Sequence, residues 1–381
     1  MQVRQIPRDG LPPGPAATPF PFHFICESSR HLLRGLPAPS AAVKPTTLFV
    51  TGSTGFIGTK LVNALIGQGH TVHALARAAS NRDGLAHERI KLVQGDIMNP
   101  ASLVAGMQGC THVFHLAAYA KNWAPDPTLF YQQNVVGMRN VFAAAKQTGV
   151  QRVVWTSTIA TFGPTAPGVV GDETMPRLTE RHYTEYEESK SIAEQEALSM
   201  ATEGFPVVIV NPTRAYGPGK LTEGNSVSLM ITQYDRGRLP ILLNQGINVG
   251  NYALVDDLVR GHISAMEKGR SGERYILGGE NASLKRFFTL VDEVSGKTHF
   301  QLNLPPKVGL AYGAVQKLAA RTFGLYPQIT TGWVETFLQD WAYSCAKAER
   351  ELGYTFTPLQ EGIRLTYAWL LQRRQLSPGP T

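Results

Sequence analysis

The 381-residue chain contains no apolar run of about 18 residues or more, the length a helix needs to cross a bilayer, so nothing in it reads as a membrane span. Cysteine is scarce. Cys26, Cys110 and Cys345 are spaced neither as a disulfide framework nor as zinc ligands, so the expectation is a reducing compartment, the cytoplasm, and no metal. A basic run interleaved with aromatics is also missing. Lys and Arg outnumber Asp and Glu, 36 to 29, for a net charge of +7. Much of that excess falls in residues 1–44, where Arg4, Arg8, Arg30, Arg34 and Lys44 face only Asp9 and Glu27. The rest implies a mildly basic solvated surface and excludes nucleic acid as the expected partner.

What the chain has is length and order. With 43% hydrophobic residues it can fill one large α/β unit and a smaller one. Residues 1–44 are rich in proline and lack periodicity, so they are expected to be a disordered or non-native tail. Their arginines would suit a transit peptide, whereas "FPFHFI" is too short and proline-broken for a secretory core. Initiation at Val43 would instead start the chain just before the first regular segment. From residue 46, "TLFV", "TVHAL", "IKLVQ", "HVFHLA", "RVVWTS" and "PVVIV" alternate with helical stretches. Strands of nearly continuous apolar character, separated by helices, predict a doubly wound parallel Rossmann sheet covered on both faces. That unit is expected over 45–211, with 247–280 returning to it. A smaller, mostly helical substrate-binding lid would comprise 212–246 and 281–372, and 373–381 would be a tail.

The first strand breaks at "TGSTGFIG" and a helix follows. Gly52 would permit the tight turn, Gly55 the close approach of a pyrophosphate, and Gly58 the packing of helix on sheet, with Thr54, Phe56 and Ile57 in the same loop. The second strand, "TVHALARAASNR", ends without an acid and on Arg77. A guanidinium there suits a 2′-phosphate, favouring NADP(H) and leaving NAD(H) open. Asp96, followed by Ile97, is placed to accept from the adenine amino group or else to cap a helix.

"YEESK" puts Tyr186 and Lys190 one helical turn apart, an arrangement in which an ammonium can tune a phenol as acid or base. The spacing recurs at Tyr216 and Lys220, which cannot be helical through "GPG", and at Tyr343 and Lys347, far downstream. Only Tyr186 falls between the fifth and sixth strands. Thr156, Ser157 and Thr158 offer hydroxyls at the end of the fifth strand, one of which could hold a substrate oxygen.

In this order "TGSTGFIG", "VFHLAA", "NVVGMRN", "TSTIATFG" and "YEESK" resemble the extended short-chain dehydrogenase/reductase superfamily over about 46–371. The branch most resembled holds dihydroflavonol 4-reductases, 3β-hydroxysteroid dehydrogenases and hopanoid-associated sugar epimerases. The resemblance implies that Tyr186 and Lys190 are the catalytic pair, that Lys190 also holds the nicotinamide ribose, and that Thr158 is the active-site hydroxyl, with Ser157 the fallback. It places Ala117, Ala118 and Pro212 along the dinucleotide and gives Asn134 a supporting role.

Two departures bear on substrate. Where sugar-nucleotide enzymes of the superfamily carry an Asn before "YGP" and an Arg in "RDYIHVDD", this chain has Arg214 and Gly250. Losing a charged hydrogen bond to phosphate costs about 1.5–3 kcal/mol, unless Arg214 replaces it. The expectation is therefore an NADP-dependent oxidoreductase acting on the carbonyl or alcohol of a small, apolar molecule. An epimerase with tightly bound NAD(P) is the alternative. Intact Tyr186 and Lys190 argue against a non-catalytic dinucleotide sensor. A homodimer is compatible with all of these.

Overall fold

The computed structural model describes residues 45–239 and 241–376; the expected tail at 1–44 lies outside them, as do residues 377–381. Six strands come first: β1 (Thr47–Thr51), β2 (Thr71–Ala76), β3 (Ile90–Gln94), β4 (His112–His115), β5 (Arg152–Thr156) and β6 (Val207–Pro212). Short strands follow as β7 (Arg214–Tyr216), β8 (Ile241–Leu243), β9 (Val249–Leu254), β10 (Arg274–Leu277), β11 (Glu280–Ser283) and β12 (Leu302–Leu304). The first helices are α1 (Phe56–Gly67), α2 (Pro100–Met107) and α3, which opens at Thr128–Tyr131, passes through a π turn at Gln132–Val136 and continues as Gly137–Gln147. Then come α4 (Glu185–Thr202), α5 (Ser226–Asp235), α6 (Val255–Lys268), α7 (Leu284–Ser295) and α8 (Pro306–Phe323). The last are α9 (Thr331–Phe337), α10 (Ala346–Leu352) and α11 (Leu359–Leu376).

Seven strands form one parallel sheet in the order β10-β6-β5-β4-β1-β2-β3. All six residues of β6 are buried, as a strand covered on both faces requires. Leu48 and Val50 point into a core with Leu61 and Leu65 of α1 and Leu258 of α6. Phe49 points the other way, against Met107, Val141 and Ala193 from α2, α3 and α4. Strand order reverses between β1 and β4, so loops after these strands diverge and leave a crevice at their carboxyl ends.

Local chemistry starts the helices that border this crevice. Asn99 accepts from Ser102 N at 3.2 Å ahead of Pro100 in α2, and Thr184 accepts from Glu187 N at 3.1 Å ahead of α4. Glu185, Glu187 and Glu188 then sit in the first turn of α4, where carboxylates favour the helix dipole.

The C-terminal part is helical and also carries a three-stranded sheet, β11-β9-β7, and a parallel pair, β8 with β12. Two expected boundaries shift. β9 belongs to the three-stranded sheet, because it pairs with β7 and β11, so within 247–280 only α6 and β10 rejoin the central sheet. The final helix runs past residue 373 to Leu376, held by Arg374 donating to Asp235 at 2.6 Å.

Candidate active site

The glycine turn is closed by backbone. Gly52 has φ +69°, and a Cβ on it would meet Ala117 N and Leu116 C at 2.7 Å. A Cβ on Gly58 would lie 2.0 Å from the Gly52 carbonyl. Gly55 stands at the start of α1, where no side chain caps the helix, so the first N–H groups are left for an anion.

From this turn a cleft of about 960 Å³ runs along the carboxyl edge of the sheet. Thr54, Phe56 and Ile57 line it beside Gly52, Gly55 and Gly58. Arg77, exposed at the end of β2, and Asp96 and Ile97, after β3, stand at one end. Ala117 and Ala118 follow β4, and Pro212 ends β6 on the same cleft. Asp96 does not cap α2: Asn99 does, and Asp96 accepts from Met98 N at 2.9 Å in a turn. A backbone cradle that a Cβ would fill, an uncapped helix start and a guanidinium at the far end fit a dinucleotide.

At the other end the cleft is lined by Ser157, Thr158, Tyr186 and Lys190. Both residues of the spaced pair lie on α4, whereas Tyr343 precedes α10 and donates to Gly163 O, and Tyr216 lies in β7. Lys190, buried, donates to Thr156 O at 2.9 Å and sits 4.2 Å from the centre of the Trp155 ring. Burial drives its pKa down to about 7 against the pull of Glu194. The phenol of Tyr186 moves opposite to expectation: burial pushes it up to about 12, and a hydrogen bond with Thr158 offsets only part of this. The reason is that burial also brings Lys190 down to about 7, so it has lost its proton before the phenol ionises and lends it no charge. His115, beneath Lys190, is held neutral at about 3 by burial and the nearby ammonium.

The two candidate hydroxyls differ in commitment. Ser157 donates to Glu194, which also accepts from Asn211 at 2.7 Å and Thr161 at 3.0 Å and pairs with Arg274 at 3.2 Å. Thr158 instead begins a short 3₁₀ turn and faces Tyr186. The serine's proton is thus committed to a carboxylate, whereas Thr158 Oγ accepts a long bond from Ala160 N at 3.3 Å and faces the phenol. Glu194, which the sequence reading passed over, lies one turn beyond Lys190 and two beyond Tyr186; that spacing is its only signal. Asn134, in the π turn, donates to Ser189 Oγ at 2.9 Å and accepts from Tyr119 N at 2.7 Å, tying α3 to α4.

Arg214 and Gly250 prove to be neighbours. The Arg214 guanidinium occupies the room above Gly250, where a Cβ would meet its Nη1 at 2.5 Å. It packs 4.4 Å from the Phe337 ring centre and donates to the Tyr252 hydroxyl at 3.3 Å. A guanidinium carried by the adjacent strand β7 thus lies over position 250. Trp333 and Phe337 of α9, stacked at 4.1 Å, complete this wall.

A seven-stranded doubly wound sheet with a glycine turn at its switch point defines an NAD(P)-dependent enzyme of the extended short-chain dehydrogenase/reductase type. Residues 48–278 match the NAD dependent epimerase/dehydratase family, and the chain belongs to it. A putative dihydroflavonol 4-reductase of Synechocystis sp. is 34% identical over 84% of this chain and 93% of its own length. Sterol demethylase protein B of Methylococcus capsulatus is 28% identical, covering 86% and 99% respectively. The crystal structure of gox2253 superposes with a TM-score of 0.74 at 34% identity, over 86% of this chain and 98% of that one.

Proposed function

We propose that the protein is an NADP-dependent oxidoreductase that interconverts a ketone or aldehyde and the corresponding alcohol, with Tyr186 as the acid. The observation that carries this reading is geometric: Tyr186 and Lys190, one turn apart on α4, line with Thr158 the cleft that begins at the glycine turn. The bound nicotinamide supplies the hydride. Tyr186, protonated throughout the neutral range, delivers a proton to the substrate oxygen, and Thr158 orients that oxygen by hydrogen bonding. Lys190, once an anionic dinucleotide lies alongside, is drawn back toward its charged form and stabilises the phenolate left behind. Glu194 fixes the strand ends under these groups. A reductase among the relatives supports the reaction class. Arg77 at the end of an acid-free β2 supports the 2′-phosphate, and the aromatic wall of Trp333 and Phe337 supports an apolar substrate.

The test is NADPH oxidation against a panel of carbonyl compounds. Tyr186→Phe should leave NADPH binding unchanged and lower kcat by about 10²-fold or more. NADPH should bind more tightly than NADH, and Arg77→Ala should remove the difference. Equal affinities in the wild type overturn the cofactor assignment.

One observation favours the epimerase reading, namely the cation restored over Gly250. Interconversion of UDP- or dTDP-sugars without net NADPH consumption would establish it in place of reduction.

A further inference from the structure

Helix α8 is packed inside out. Its buried positions are the small residues Gly309, Gly313 and Ala320. Gly313 lets the helix close on the first residue of α9, where a Cβ would meet Thr331 N at 2.9 Å. The large apolar side chains face outward instead: Val308 is 51% exposed, Tyr312 50%, Val315 63% and Leu318 66%. Steps of four, three and three residues place them in one stripe along a single helix face. Exposed Phe323 ends the helix and exposed Leu325 follows it, while exposed Leu302, paired with exposed Ile241, lies just before its start. Large apolar side chains are exposed elsewhere too, such as Val170 and Leu178, but a stripe of them along one helix face marks a surface with a partner.

Charge says which partner. Between Glu293 and Glu335 the sequence contains no acid, while Lys297, Lys307, Lys317 and Arg321 fall in that interval. Lys297 is paired with Asp235, and Lys317 reaches Glu185 at 3.8 Å. Lys307 and Arg321 are exposed and make no ion pair among the described residues. A two-fold contact with a second copy would set this face against itself and bring cations to cations. Residues 1–44 also carry more cations than acids, so they complement it no better. An outward apolar stripe flanked by unpaired cations fits an anionic lipid surface, with the helix lying in the interface plane. The cleft lies close by: α9 packs on α8 and contributes Trp333 and Phe337 to its wall, while Tyr326 donates to Glu223, another wall residue, at 2.8 Å.

We propose that α8 docks this protein peripherally on anionic membranes, with Val308, Tyr312, Val315 and Leu318 entering the interface and Lys307 and Arg321 meeting the headgroups. Docking does not depend on the reaction assigned above. The full chain should cosediment with phosphatidylcholine vesicles containing phosphatidylglycerol and much less with phosphatidylcholine alone, and salt should weaken binding. Val315→Ser/Leu318→Ser should reduce the partition at least about tenfold by removing two buried side chains. Lys307→Glu/Arg321→Glu should reduce it by a factor of about 25 or more, at about fivefold per cation lost. All of these positions are exposed, so melting temperature should hold, which separates lost docking from lost folding. A wild type that stays in the supernatant with both vesicle types overturns the proposal. So does a Val315→Ser/Leu318→Ser variant that binds as before, or one that turns a dimer into a monomer, which would assign the face to a second copy.

Discussion

Replacing Lys190 by Met should make the nucleotide-free protein more stable while disabling it, and the gain should fade as pH rises. Lys190 is 2% exposed and its pKa falls from 10.5 to about 7. At about 1.4 kcal/mol per pH unit, holding the ammonium in place costs the fold on the order of 4–5 kcal/mol at neutral pH. Met removes that cost. It also leaves the Thr156 carbonyl without its donor, about 1–3 kcal/mol, and removes the contact with the Trp155 ring, about 1–2 kcal/mol. The balance is a gain of about 1 kcal/mol, or a few degrees in Tm. The sign follows from proton counting: between pH 7 and 10.5 the unfolded chain holds a proton on Lys190 that the folded chain has released, so wild-type stability rises across that window. His115 stays neutral throughout, so it adds no slope there. Calorimetry without nucleotide, from about pH 6 to 10, should show the variant melting higher at the acid end and the two curves crossing above neutrality, because wild type sheds the ammonium cost while the variant still lacks the donor to Thr156 O. A variant that melts lower than wild type at pH 6, or a difference that does not shrink, refutes the burial argument.

Gly58→Ala should lower NADPH affinity at least about tenfold and lower Tm, since its Cβ would lie 2.0 Å from a carbonyl that cannot step aside without opening the turn; wild-type affinity in a titration would show the turn to be compliant. Ser157→Ala should destabilise by about 1–3 kcal/mol in denaturant melts, because Glu194 loses a donor, while changing kcat little. Thr158→Val should show the opposite pattern, with kcat reduced about 10²-fold and a stability loss smaller than that of Ser157→Ala, since only the long cap to Ala160 N at 3.3 Å is removed. If the two results are exchanged, the serine is the acting hydroxyl.

The first six of the seven strands of the central sheet and the helices between them were legible because a parallel sheet needs apolar runs and leaves them in the sequence. The short strands β7, β8, β9 and β11 were not. In β7, β8 and β11 three or four residues carry too little periodicity, six-residue β9 is interrupted by Gly250 and Asn251, and the pairing is decided by distant segments, as when Val249 in β9 meets Ser283. The cleft residues at the glycine turn and on α4 could be found because each sits at a strand end or at helical spacing. Their electrostatics could not: an ammonium one turn away suggested a lowered phenol pKa, and burial reversed it. Whether a cation touches its neighbour or a carbonyl instead is a matter of rotamer, which spacing does not encode.

The pairing of Arg214 with Gly250 makes the two positions a unit. With the guanidinium resting where any side chain at 250 would project, they are not independent variables. A side chain at 250 would push the Arg214 head group aside rather than meet a rigid wall, so its effect would be felt through Arg214, at the face that Phe337 and Tyr252 share with it. Substitutions at 214 and 250 should therefore couple rather than add, and reading either position alone miscounts the charge this wall carries.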